Sequence, residues 1–328
     1  MNVLVTGATG FLGRRLAFKL AEKGYIIHAL YRSEEKASQL KHNNIKLFKG
    51  DITVSQSIGQ AVRSCKQVYH LAAFAKVWEK NKDRVYQLNV QGTLNTIHAA
   101  FDSGVEKIVF ISTAGVFGPC SGKEVSERTE YPDDFFTEYE RTKCQAEKEV
   151  LNLVKNGKNI VIVNPTRIYG PGLLRESNSL TKIVKLYLEG KWHVIPGNGK
   201  SIGNYVYIDD VVNGMISAME NGKTGERYIL GGVNVSYNEL FSTLKDVSGK
   251  KNFIIKIPFF VIHTLAHLMM LFSKLSGKPP VISPQLVKKF NRNWAVSSSK
   301  AVNELGYKIT PLREGLSQTI AWLKSLKV

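Results

Sequence analysis

Short apolar runs punctuate the first half of the chain: Val3-Leu4-Val5, Tyr25 to Leu30, Ile45 to Ile52, Val68 to Ala73 and Lys107 to Ala114. Val3-Leu4-Val5 is apolar throughout rather than alternating, the pattern of a parallel strand covered on both faces, and the later runs read as further strands of the same sheet. Between them lie stretches of helical composition, such as Arg14 to Gly24, the segment from Asn89 to Phe101 and the segment around Tyr139. Alternation of this kind predicts an α/β protein with a doubly wound parallel sheet, whose ligand crevice lies beyond the carboxyl ends of the strands.

The first run ends in Thr6-Gly7-Ala8-Thr9-Gly10-Phe11-Leu12-Gly13, a glycine loop between a strand and a helix. Gly7 suits the tight turn, Gly10 a close approach of backbone to ligand, and Gly13 the packing of helix on strand. With Thr9, Phe11 and Leu12 they form a candidate dinucleotide site, in which helix-terminal N–H groups and the helix dipole face a pyrophosphate. The second run ends in Tyr31-Arg32-Ser33, where an NAD site would hold an acid and an NADP site an arginine. Arg32 therefore favours NADP(H) over NAD(H), a guanidinium matching phosphate oxygens bidentately. Asp51, with Ile52 beside it, follows the third run and is placed to bond the adenine amino group, while Leu71, Ala72 and Ala73 leave room for the cofactor to pass. His70, inside an apolar run, reads as a hydrogen-bonded core histidine.

The fifth run closes on Ser112 and Thr113, and a helical segment 26 residues beyond Thr113 carries Tyr139 and Lys143, four apart and hence on one face. A free tyrosine titrates near ~10, and lowering it by ~3 units takes about 4 kcal/mol of preference for phenolate. A nearby ammonium can contribute that preference, which makes Thr113, Tyr139 and Lys143 candidate catalytic residues.

Charge and composition change this picture little. The formal charge is +18, unevenly placed: residues 1 to 164 carry 23 basic and 17 acidic side chains, residues 165 to 328 carry 22 and 10. A solvated lysine-rich surface is the ordinary explanation, an anionic membrane or ligand the alternative, and the absence of any zinc-finger or RNA-binding motif argues against nucleic acid. Cys65, Cys120 and Cys144 show no Cys-x-x-Cys spacing, which suggests a reducing compartment and no metal site. Met1-Asn2 leads directly into the first run, so a cytoplasmic location is expected.

Taken together, Thr6-Gly7-x-x-Gly10-x-x-Gly13, Asp51-Ile52, Leu71-Ala72-Ala73, Asn89-x-x-Gly92-Thr93, Ser112 to Gly118, Tyr139-x-x-x-Lys143 and Ile168-Tyr169-Gly170-Pro171-Gly172 stand in the order of an extended short-chain dehydrogenase/reductase, which the whole chain resembles. The resemblance implies that Thr113 polarises the substrate oxygen, Tyr139 is the general acid/base, and Lys143 lowers its pKa and bonds the nicotinamide ribose. It also implies that Asn89 belongs to the cofactor site, with Asn164, Pro165 and Thr166 flanking the nicotinamide. By the same resemblance, residues 1–172 plus 205–222 form the NAD(P)-binding domain and 173–204 plus 223–328 a discontinuous substrate lobe. Relatives commonly dimerise through the segments holding Asn89 to Phe101 and Tyr139 to Val154. Two departures bear on substrate. Sugar-nucleotide epimerases usually have asparagine where this chain has Arg167, and an acid after the second strand where it has Arg32. Both shift the resemblance toward dihydroflavonol reductases and 3β-hydroxysteroid dehydrogenases, hence toward hydride exchange between NADP(H) and a ketone or secondary alcohol of an apolar small molecule. The alternatives are a nucleotide-sugar epimerase or dehydratase retaining NAD, and a non-catalytic NADP(H) sensor, against which the Thr113, Tyr139 and Lys143 set argues.

Phe259 to Phe272, bounded by Pro258 and by Lys274 to Pro280, is too short to span a bilayer as a helix. It is expected to cover an apolar substrate, to touch a membrane interface, or to pack in the lobe. His263 and His267 have the spacing of a zinc pair, but Thr264 stands where a zincin has glutamate and no third ligand is evident, so packing is the better reading.

Overall fold

The computed structural model describes residues 1–75, 79, 81–174, 178–276, 280 and 282–326; of the boundary expected after Phe272, residues 277–279 lie outside them. Among the described residues twelve strands are formed: β1 (Asn2–Thr6), β2 (Ile26–Tyr31), β3 (Ile45–Lys49), β4 (Cys65–His70), β5 (Lys107–Ile111), β6 (Ile160–Pro165), β7 (Arg167–Tyr169), β8 (Val194–Pro196), β9 (Ile202–Tyr207), β10 (Arg227–Leu230), β11 (Val233–Ser236) and β12 (Ile255–Ile257). Seven make one parallel sheet in the order β10-β6-β5-β4-β1-β2-β3. The chain winds one way from β1 to β2 and β3 and the other way from β4 onward, so a crevice opens between the carboxyl ends of β1 and β4.

The apolar character of the central strands has a direct cause. Val3 and Val5 enter one apolar layer and Leu4 the other; Val109 and Ile111 oppose Ile108 and Phe110 in the same way, as do Val161 and Val163 oppose Ile160 and Ile162. Both faces of the sheet are covered by helices, so both sets of side chains are buried. Leu16 and Leu20 of the Phe11–Glu22 helix and Val211 and Met215 of the Ile208–Asn221 helix cover one face. Ile97 of the Gly92–Asp102 helix and Ala146 and Val150 of the Glu138–Lys155 helix cover the other. Each such aliphatic side chain removed from water contributes about 1.5–3 kcal/mol before conformational entropy is charged against it.

A second apolar cluster lies around the sheet β11-β9-β7 and the pair β12-β8, where Val184, Tyr187, Phe241, Leu244, Leu316 and Ile320 meet. The sequence reading assigns all of 223–328 to a substrate lobe, and here the structure corrects it. Arg227–Leu230 is the seventh strand of the main sheet, paired with β6, and Ala301, Leu305 and Tyr307 pack into the main core beside it. The run is only four residues long and its partner lies more than sixty residues earlier, so local pattern carries no trace of the pairing. The apolar stretch beginning at Phe259 is a helix, Phe259–Ser276.

Candidate active site

The crevice between β1 and β4 is built almost entirely of backbone. Gly7 takes φ +72, and a Cβ there would meet Ala72 N and Leu71 C at 2.8 Å; a Cβ on Gly13 would lie 2.2 Å from Gly7 O. Turn, helix and β4 loop are thus in contact at van der Waals limits that only hydrogen side chains satisfy. Gly10 caps the following helix without any side-chain bond, and no acid occupies the first turn. Phe11, Leu12 and Gly13 begin that helix, so uncommitted N–H groups and the positive end of its dipole face the crevice. Such an end fits the pyrophosphate of a dinucleotide.

Arg32 and Asp51 come together at the ends of β2 and β3, Arg32 Nη1 donating to Asp51 Oδ2 at 3.3 Å. Asp51 Oδ1 also accepts from Thr53 N and Oγ1, both at 2.9 Å. Burial opposes ionisation of this carboxyl, but Thr53 and Arg32 hold it below its ordinary value. Ile52 is buried against Gly92, whose Cβ would lie 2.6 Å from it. Arg32 is more than half exposed, free to turn toward a phosphate.

Behind β4 a hydrogen-bonded chain fixes the crevice wall. Thr93 Oγ1 donates to Asn89 O (2.7 Å) and therefore accepts from His70 Nε2 (3.0 Å). His70 Nδ1 then accepts from Thr6 Oγ1 (2.8 Å), which accepts in turn from Ala72 N (3.2 Å). His70 is fully buried and burial pushes its pKa down to about 3, so it is a neutral core histidine, as its apolar surroundings suggest. Asn89, expected at the cofactor site, has its side chain bonded within the crevice wall. Its Oδ1 accepts from Phe74 N (2.7 Å) and its Nδ2 donates to Phe74 O (3.3 Å) and Thr142 Oγ1 (2.9 Å). The amide is consumed in tying the loop after β4, which carries Leu71, Ala72 and Ala73, to the helix that bears Tyr139.

That helix starts at Thr137, whose Oγ1 accepts from Glu140 N at 3.3 Å. Tyr139 lies in its first turn against the Thr113 hydroxyl, and Thr113 Oγ1 also accepts from Gly115 N at 3.2 Å. Lys143, one turn on, is buried: its Nζ donates to Ile111 O (2.6 Å) and sits 4.1 Å above the Phe110 ring. Burial pushes Lys143 down to about 7, against the opposing pull of Glu147. The lowering of Tyr139 expected from Lys143 is absent. Burial and the Glu140 carboxylate push the phenol above its ordinary value, opposed by the Thr113 hydroxyl. The sequence shows the spacing of Tyr139 and Lys143 but not the low-dielectric surroundings that dominate both.

Two carboxylates on the helix that bears Tyr139 escape the sequence reading. Glu140 is buried, accepts from Thr137 Oγ1 and pairs with Lys289 of the Pro284–Phe290 helix, which joins the C-terminal part of the chain to the helix bearing Tyr139. Glu147 is fully buried, its Oε1 accepting from Asn164 Nδ2 at 3.0 Å, and burial raises it to about 7. Its signal was spacing: Tyr139, Lys143 and Glu147 are four apart in succession on one helix face. Pro165 ends β6, buried, and Thr166 Oγ1 donates to Asn204 Oδ1 at 2.7 Å. Arg167 donates from Nη1 to Tyr205 OH (3.3 Å) and stacks 5.6 Å over that ring, its guanidinium held charged by Tyr237 and Tyr205. His263 and His267 meet edge to face at 4.6 Å, and no group of three or more metal-ligating side chains occurs among the described residues.

A switch-point crevice with a glycine loop, and a threonine, tyrosine and lysine at the ends of β5 and the adjoining helix, define an oxidoreductase-type dinucleotide enzyme. Residues 3–231 match the NAD dependent epimerase/dehydratase family, to which the chain belongs as an extended, NAD(P)-dependent short-chain dehydrogenase/reductase enzyme. It is 27% identical to sterol demethylase protein B of Methylococcus capsulatus over 99% of this chain and 98% of that protein. It is 30% identical to dihydroflavonol 4-reductase of Gerbera hybrida over 75% and 72%. The crystal structure of UDP-glucose 4-epimerase of Thermotoga maritima with UDP-glucose superimposes with a TM-score of 0.83 at 25% identity, over the full length of both chains.

Proposed function

We propose that this enzyme is an NADP-dependent reductase of a ketone on an apolar small molecule, working reversibly on the secondary alcohol. The observation that carries the reading is the meeting of the Thr113 and Tyr139 hydroxyls at the end of β5, with Lys143 one turn beyond. Gly7, Thr9, Gly10, Phe11, Leu12 and Gly13 would hold the pyrophosphate, Arg32 the 2′-phosphate, Asp51 and Ile52 the adenine, and Leu71 to Ala73 with Pro165 and Thr166 the remainder of the cofactor. Bound there, the nicotinamide supplies or takes up hydride. Thr113 Oγ1 holds the substrate oxygen, and Tyr139 gives that oxygen its proton. A phenol held above its ordinary pKa is protonated at neutral pH, as a proton donor must be, but the same shift makes it a weaker acid, so proton transfer relies on positive charge gained beside it when the site fills. Lys143, buried and close to neutral titration, responds to small changes in its surroundings and adds positive charge when the site fills.

The apolar substrate is supported by the relatives whose names refer to a sterol and a dihydroflavonol, and by Arg167, whose guanidinium is committed to Tyr205 and Tyr237 at the border of the lobe. Epimerisation of a nucleotide sugar is the second reading, favoured by the likeness to UDP-glucose 4-epimerase. The test is Tyr139→Phe assayed against a panel of apolar ketones. Loss of turnover at least about a thousandfold with unchanged NADPH affinity is expected for removal of a general acid. Full activity in that variant, or interconversion of UDP sugars by wild type without net cofactor oxidation, would overturn the proposal.

A further inference from the structure

The Phe259–Ser276 helix turns its apolar side outward. Only Ala266 and Ser273 among its described side chains are buried, while Phe260 (73% exposed), Leu265, Leu268, Met269, Leu271 and Phe272 (66%) face solvent. At 100° per residue these six fall within one half of the helix circumference, interrupted by Thr264, whose hydroxyl already donates to Phe260 O. Phe253 (74% exposed) and Ile255, just before the helix, extend the same character. A patch this concentrated marks an interaction surface.

Its surroundings say with what. From Val247 to Asn303 the chain has no acidic residue, and Lys250, Lys251, Lys256, Lys288 and Arg292 are exposed there. None of these five pairs with a carboxylate among the described residues. A second copy meeting this face across a twofold axis would set the basic rim against itself. An anionic bilayer satisfies both features, taking the apolar face into its interface and the rim onto its headgroups. No described helix is long and apolar enough to cross a membrane, so the helix would lie in the interfacial plane.

We propose that the Phe259–Ser276 helix and its basic rim seat this enzyme on an anionic lipid surface. The contact stands apart from the redox reading, because it is measured without turnover. Lys289, on the helix packed against this one, pairs with Glu140 beside Tyr139, so docking would hold the candidate active site close to the bilayer.

The test is flotation of the full chain with phosphatidylcholine vesicles, with and without about a third phosphatidylglycerol, at roughly 50 mM and 500 mM salt. Wild type is expected to float with anionic vesicles at low salt and to be released by high salt. Lys251→Glu with Lys256→Glu should weaken binding at least about tenfold, each exposed lysine being worth roughly a fivefold change in partition near such a surface. Phe260→Glu with Leu268→Glu and Phe272→Glu should abolish flotation while leaving the circular dichroism and NADPH affinity unchanged, since these side chains are exposed. Failure of wild type to float at low salt overturns the proposal. So does equal flotation of the triple variant, or a stable dimer in solution that the triple variant converts to monomer without any vesicle binding.

Discussion

Gly13→Ala tests the glycine loop at the position where geometry leaves least freedom. The new methyl carbon would start 2.2 Å from Gly7 O, 2.8 Å from Gly7 C and 3.1 Å from Ala8 Cα, all backbone atoms that cannot rotate away. Loop and helix must part by about 1 Å to restore van der Waals contact. Overpacking of this kind costs about 1–3 kcal/mol, borne partly by the fold and partly by the loop shape that presents N–H groups to the crevice. If the bound form bears it, NADPH affinity falls roughly 5- to 150-fold, at 1.4 kcal/mol for each factor of ten. Fluorescence titration of NADPH reads that loss, and thermal melting reads the share taken by the fold. Gly59→Ala is the control: it is also a helical position, and a Cβ there meets nothing within 4 Å. Unchanged NADPH affinity in Gly13→Ala, with the control equally silent, would refute the placement of the dinucleotide on this loop.

Three further outcomes are expected. Arg32→Ala should weaken NADPH about 10- to 100-fold while sparing NADH, a charge-assisted bond to phosphate being worth about 1.5–3 kcal/mol; parallel titrations with the two cofactors check it. Asn89→Ala leaves the buried Phe74 N–H without its acceptor, so unfolding free energy should fall by about 1–3 kcal/mol, measured by chemical denaturation, with cofactor KM rising more than kcat falls. Glu147 ionises near 4.5 when unfolded and near 7 when folded, so folding takes up a proton between those values, and the stability this group contributes is present below about 4.5 and lost as pH rises through about 7. In Glu147→Gln that slope is absent: relative to wild type the variant should gain roughly 2.5 kcal/mol between pH 5 and pH 8, and a difference that does not vary with pH would contradict the buried carboxyl.

The main sheet was readable because burial on both faces forces apolar runs in its central strands, and the crevice because only glycine satisfies Gly7 and Gly13. Tyr139, Lys143 and Thr113 were readable as a spacing and a strand end. Their electrostatics were not. Lys143 is held by a backbone carbonyl of β5 and an aromatic face, and Tyr139 by desolvation, both products of tertiary packing that leave no local mark. The same holds for pairings between distant segments: Glu140 with Lys289, Thr166 with Asn204, and Arg227–Leu230 with β6. Asn89 illustrates the converse. Its position was legible, yet its amide serves the architecture of the crevice wall, an outcome visible only once Phe74 and Thr142 are seen beside it.

On the proposed function, Tyr139 would supply the proton to an apolar ketone while a freely exchanging NADP(H) bound in the crevice would supply the hydride. The most direct measurement follows deuterium from NADPH labelled at the reactive nicotinamide carbon into product. One deuterium per alcohol formed, one NADPH consumed with it, and neither in Tyr139→Phe is the predicted result. Purified protein that retains NAD, transfers no label to any apolar ketone and interconverts nucleotide sugars without net oxidation would contradict it.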